Sequence, residues 1–135
     1  MYVPEKPETT FSVQGTLLSW YRTEALTYLS GRIAALSKKT GLKPSCVRIK
    51  NQVTLWGSCS SKGSINLNWR LILAPISIVD YVVMHELCHL RVANHSGSFW
   101  ALLLANDPLY AEHRAWLRKN QLELKMWLLT TNNDG

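Results

Sequence analysis

His85-Glu86-Leu87-Cys88-His89 sets two imidazoles four residues apart, with a carboxylate directly after the first. On a helix, residues four apart lie on one side with Cβ atoms roughly 6 Å apart, so both rings can reach one ion at about 2.1 Å. Zinc favours such nitrogen donors. Glu86 is one step from His85 and points about 100° around the helix, too far to join the ligands comfortably but within reach of a water at the ion. There a carboxylate can take a proton from a water whose pKa zinc lowers toward about 7, then hand it to a leaving amine. The pattern therefore predicts hydrolysis at a zinc ion, with Glu86 as general base and acid.

A catalytic zinc usually takes three protein ligands and keeps one position open, and His95 is the candidate for the third. In an unbroken helix, six residues beyond His89 would carry His95 about 9 Å along the axis and to the wrong side. The helix is therefore expected to break off just past Val92. Asn94 tolerates the left-handed conformation that ends helices and stands where the chain must double back. The His89-to-His95 spacing equals that in H-E-x-x-H-x-x-G-x-x-H, but Val92 holds the glycine place, so the turn must be built differently.

The elements around these residues follow from apolar periodicity. Leu18, Tyr21, Ala25, Leu29, Ile33 and Leu36 recur three or four apart, which predicts a first helix ended by Gly41, with Lys38 and Lys39 in its last turn. Between Ser45 and Asn68 the period becomes two, in Val47 and Ile49, Val53 and Leu55, then Ile65 and Leu67. Three short strands result, the last two joined as an antiparallel hairpin by Ser60, Ser61, Lys62 and Gly63. Pro75 suits a first helical position, and Val79, Val82, Val83, Leu87 and Leu90 make the motif's helix the central, buried one. Ser96 can cap a further helix through Leu103, and Pro108 separates it from a last amphipathic helix over residues 109 to about 129. The fold class is α+β: a short antiparallel sheet of about three strands packed with an N-terminal helix, the motif helix and C-terminal helices.

At 135 residues and 47% hydrophobic content the chain suits one domain, expected over residues 13–130 between a flexible tail at 1–12 and a disordered tail at 131–135. With no run of eighteen apolar residues and a polar start carrying Glu5 and Glu8, it is expected to be cytoplasmic and unanchored, with no membrane partner. Cys46, Cys59 and Cys88 lack C-x-x-C spacing and read as reduced thiols. The net charge of +6, with Lys38, Lys39, Lys43, Arg48 and Lys50 gathered mid-chain, reads first as a solvated surface, although such a patch can attract nucleic acid. His113, between Glu112 and Arg114, reads as a solvated surface histidine, and Cys88 as a small buried hydrophobe. Tyr81, Tyr110 and Arg70 are the side chains to inspect for oxyanion stabilisation, though spacing singles out none of them. Trp100 and Trp116 are expected in the core.

Trp56-Gly57-Ser58-Cys59-Ser60, the run from Ile65 to Leu71 (Ile-Asn-Leu-Asn-Trp-Arg-Leu), the motif through Leu90, and Asn94-His95-Ser96 followed by Phe99-Trp100 together resemble the YgjP-like zinc metallopeptidases, relatives of the SprT-like and WLM proteases. The likeness extends from about Leu17 to Trp127. It implies a zincin-like domain with His85, His89 and His95 as zinc ligands and Glu86 as the acid/base, the assignment reached above from spacing. Similar proteins usually carry a β-rich segment before the first helix, so this chain resembles a truncated or minimal member. Zincin-like proteases commonly lay substrate along an edge strand, which suggests that the strand containing Ile65 and Asn68 walls the cleft and that mutating Asn66 and Asn68 raises KM without removing zinc. The expected function is a zinc metallopeptidase acting on a peptide or protein. Two alternatives stand beside it: a nucleic-acid-associated SprT-like protease or DNA-binding module, and a zinc amidohydrolase on non-peptide substrates.

Overall fold

Ala25, Leu29, Ile33 and Leu36 are all buried, on one face of helix α1, Val13–Thr40. The helix stops where Gly41 turns to φ 78°, a conformation that costs glycine little, with its N–H still bonded to the Ser37 carbonyl at 2.7 Å. The computed structural model describes the backbone of residues 13–51 and 55–134 and the side chains of residues 19–51 and 55–124, so the tail expected at 1–12 lies outside the described residues.

Strands β1 (Cys46–Lys50), β2 (Gly57–Cys59) and β3 (Ser64–Asn68) form one sheet in the order β1-β3-β2. The hairpin of β2 and β3 is antiparallel and turns through residues 60–63, with Gly63 at φ 86°. β1, however, pairs parallel with β3, so the sheet is mixed and not wholly antiparallel. The second strand also falls later than the Val53 and Leu55 alternation suggests: Leu55 is outside any strand and Val53 is outside the described residues.

β3 is therefore central, and the strand containing Ile65 and Asn68 is not an edge. Ile65 and Leu67 are fully buried. Asn68 is only 1% exposed; its amide donates to the Leu55 carbonyl, and its Oδ1 accepts from Arg70 N–H at 3.0 Å, capping the 3-10 turn Trp69–Leu73. Asn66 donates to Ser58 Oγ at 3.2 Å. These amides hold the hairpin together, so their mutation would act on the fold rather than on substrate contact alone. The edge strand beside the motif helix is β2.

Helix α2, Ile76–His89, is the central element: Ile78, Val79, Val82, Val83, Met84, Leu87 and Cys88 are buried. Pro75 stands one place before it, as N-cap, its carbonyl accepting from Ile78 N–H and Val79 N–H. A two-pronged pair ties α2 to α1, Arg32 Nε and Nη2 donating to Asp80 Oδ1 and Oδ2 at 2.8 and 2.7 Å. Helices α3 (Gly97–Asn106) and α4 (Tyr110–Asp134) also pack on α2. α3 continues past Leu103, and α4 runs beyond residue 129 through 131–134, which the sequence assigned to a disordered tail. Among the described residues no helix is long and apolar enough to cross a membrane.

Candidate metal centre

α2 runs to His89, and a last helical bond, Val92 N–H to Cys88 O at 2.9 Å, carries the turn as far as Val92, the residue past which the break was expected. Its last turn tightens through Leu90 N–H to Leu87 O and Arg91 N–H to Cys88 O, at 3.0 and 3.1 Å, and Leu90 stays in the right-handed region. No described non-glycine residue has positive φ, so Asn94 does not turn left-handed. The Val92 carbonyl accepts instead from His89 Nδ1 at 3.1 Å, which ties the reversing chain to the helix it has left.

That bend brings His85, His89 and His95 together, each offering a ring nitrogen within 4.8 Å of the other two. A carbonyl can only accept, so the bond to Val92 places the proton of His89 on Nδ1 and leaves the Nε2 lone pair facing His95 Nε2, 3.0 Å away. His85 turns Nδ1 toward Glu86 Oε2, a long contact of 3.3 Å. Two nitrogens about 2.1 Å from one tetrahedral ion stand roughly 3.4 Å apart, close to the spacing of the His89–His95 pair. The donor set, three neutral imidazoles, suits zinc and other borderline metals. Partial withdrawal from water, then the neighbouring His89 and His85 rings, holds His95 below its ordinary value, which favours the neutral, metal-binding form.

The rings are fixed by aromatic side chains, of which the sequence alone assigned Trp100 to the core and noted Phe99 only as part of the family resemblance. Phe99 stacks on His89 with centroids 4.4 Å apart and meets His85 edge-on, while Trp100 stacks on His95 at 5.6 Å and is itself stacked on Tyr110. Phe99 and Trp100 lie one turn into α3, three and four residues after the N-cap Ser96, whose hydroxyl makes no cap bond. The available signal was this pair, four and five residues after His95, readable only once α3 is known to fold back over α2.

Glu86 is 5% exposed and lies against β2. A Cβ on Gly57 would come within 3.1 Å of both Cγ and Oε2 of Glu86 and within 3.2 Å of Leu67 Cδ2, so the strand approaches this closely only because residue 57 has no side chain. Between β2 with its turn and the end of α2 opens a cleft of about 560 Å3, with His85, Glu86, His89 and His95 in its wall. Cys59 also lines it, a thiol pushed up by burial and then by the charge of Glu86.

The remaining candidates fall elsewhere. His113 is not a solvated histidine: it is half-buried and bonded through Nδ1 to Asp107 Oδ2 at 3.0 Å, because α4 folds its first turn onto the end of α3. Burial pushes the Cys88 thiol up to about 11, consistent with an inert core residue. Arg70 is buried with its guanidinium over the Trp69 ring. Of the three oxyanion candidates, Tyr81 borders a cavity shared with His85 and Glu86.

A family model described as YgjP-like, metallopeptidase domain, matches residues 2–120. No curated protein matches the chain. Among solved structures, that of the metallopeptidase zymogen of Pyrococcus abyssi abylysin is similar, with 24% identity and a TM-score of 0.61 over 69% of this chain and 95% of that one. At that identity the likeness speaks for the fold.

Proposed function

The chain belongs to the YgjP-like metallopeptidase domain family, and from that premise we propose that it hydrolyses peptide bonds with a zinc ion held by His85, His89 and His95. The observation that carries this reading is the meeting of three ring nitrogens within 4.8 Å in the wall of a cleft that Glu86 also lines. Zinc bound there supplies Lewis acidity, acidifying water and polarising the scissile carbonyl. Glu86 accepts the proton of the attacking water and passes it to the departing amine nitrogen. His89 keeps its ring turned inward through the Val92 carbonyl, and Phe99 and Trp100 hold the other faces still. Among the described residues β2 pairs with β3 alone, so its outer edge is the place for an extended peptide to add as a strand. Free Cys46, Cys59 and Cys88 support a cytoplasmic setting for the enzyme.

Metal removal tests the reading directly. Dialysis against a chelator is expected to abolish cleavage of a mixed peptide library, and one equivalent of zinc to restore it; full turnover by metal-free protein would end the proposal. Gly57 gives a finer check. Gly57→Ala pushes a methyl group against the Glu86 carboxylate, and displacement of a reacting group by a fraction of an ångström to 1 Å lowers turnover on the order of ten- to a hundredfold. Zinc content, measured by elemental analysis, should be unaltered in that variant. Undiminished kcat would show that Glu86 is not positioned by β2.

A further inference from the structure

Away from the metal cleft, a groove of about 500 Å3 lies between α1 and β1, lined by Arg22, Thr23 and Leu26 of the helix and by residues 47–50 of the strand. It shares no lining residue with the cleft. Three of its residues, Arg22, Arg48 and Lys50, are cations and none is acidic. Among the described residues Arg48 and Lys50 form no ion pair, and β1 pairs with β3 alone, so the far edge of β1 is open. That edge already draws a donor: Arg22 Nη2 reaches across from α1 to the Ile49 carbonyl, a long bond of 3.3 Å in an exposed position. Val47 and Ile49 pack inward on the core, and alternation sends Arg48 and Lys50 to the opposite face of the strand. Leu26, 48% exposed, stands on the helical wall.

We infer that this groove is a second docking site, apart from the metal cleft, where an extended acidic segment of a partner protein adds to β1 as a further strand. An edge strand beside a helix offers such a segment backbone partners along its length, while alternate side chains decide which sequence is accepted. The Ile49 carbonyl points outward, and a strand N–H can take the place of the long Arg22 bond and free that guanidinium for a carboxylate. Every second residue of the guest lies beside Arg48 or Lys50 and is best acidic; those between lie on the side of Leu26 and are best apolar. Cations on a sheet edge guard it against its own kind, so a second copy, setting Arg48 and Lys50 against the same two residues, is repelled. Nucleic acid would answer the charge but leave the strand edge and Leu26 without a role.

The test uses the full chain carrying Glu86→Gln, so that no peptide is cut, and fluorescence anisotropy with a labelled ten-residue peptide alternating Glu with Val. It is expected to bind about tenfold more tightly than its Lys-Val counterpart, the combined effect of two cross-strand charge pairs. Added Arg48→Glu and Lys50→Glu should reverse that preference, and Arg48→Gln with Lys50→Gln should flatten it. Arg118→Glu with Lys119→Glu, the same charge change on α4, should leave it standing. Because alternate N–H groups point to one edge, N-methylating one alternate set of residues in the Glu-Val peptide should abolish binding, and methylating the other set should not. Equal binding of the Glu and Lys peptides, or a preference untouched by either Arg48 and Lys50 pair of changes, overturns the site. Equal binding of the two methylated forms removes the added strand. A single-stranded oligonucleotide bound more tightly than the peptide and lost on charge reversal would give the groove to nucleic acid instead. A dimer in sedimentation that charge reversal dissolves would give it to a second copy; either result overturns the proposal.

Discussion

Glu86→Gln is expected to lower kcat on the order of a thousandfold while the protein keeps its fold and its zinc. The two side chains have the same shape, so the amide fits against Gly57 as the carboxylate does. What it lacks is a basic oxygen at neutral pH, and general base catalysis of this kind contributes about 10^2 to 10^4 in rate. Stability should not fall, since a neutral amide costs less to hold in a nearly buried position than a charge does. The check is single-turnover cleavage of a peptide pool beside elemental analysis of the same preparation. Residual activity within tenfold of wild type, zinc present, would remove Glu86 from the mechanism; loss of zinc would show that its contact with His85 is part of the metal site.

The helices were legible because their signal is local. Ala25, Leu29, Ile33 and Leu36 are three and four apart and are buried on one face, as the period demands. The sheet was only half legible. Alternation places Val47, Ile49, Ile65 and Leu67 on strands, but it carries no information about which strand lies beside which, so the parallel β1–β3 pair and the central place of β3 could not be read from it. Gly57 is a poor strand former and the three-residue β2 is too short to show alternation, so Val53 with Leu55 drew the assignment away from it. The missing side chain at Gly57 is functional in the proposed mechanism, since it lets the strand touch Glu86.

The approach of the three histidines was legible for a physical reason and partly mistaken in its means. Helix geometry forbids His95 from reaching the other rings unless the helix stops, so a break was required. Its location was assigned to Asn94 through a backbone preference, whereas the chain is turned by shortened bonds after Leu87 and by the His89 ring gripping Val92 O. A side chain that is at once a candidate ligand and a cap cannot be told from spacing, because the spacing is the same in either role. The walls supplied by Phe99 and Trp100 depend likewise on α3 doubling back, a tertiary event.

His95→Ala should weaken zinc binding by on the order of a hundredfold or more and remove hydrolysis with it. If about 12 kcal/mol of zinc affinity is shared among four ligands, each is worth about 3 kcal/mol, a factor of roughly 10^2. His95 is the informative choice because it is exposed, unlike the core face of α2, so its truncation leaves Phe99 and Leu87 packed and the thermal midpoint of the metal-free protein nearly unchanged. Acid should mimic the mutation. The ordinary imidazole value is 6.5, and the fold holds His95 below it, so the folded chain binds fewer protons here than the unfolded chain as pH falls through 6.5. Stability from this group is thus present above pH 6.5 and is lost on acidification, and the metal, competing with protons for all three rings, leaves in the same direction. Zinc release followed with a chromophoric chelator between pH 8 and 5 measures it: wild type should lose metal below about pH 6.5, and His95→Ala already at pH 8. Equal zinc affinity in wild type and variant across that range would mean that the third ring is a bystander, and the ion, if held at all, is held elsewhere.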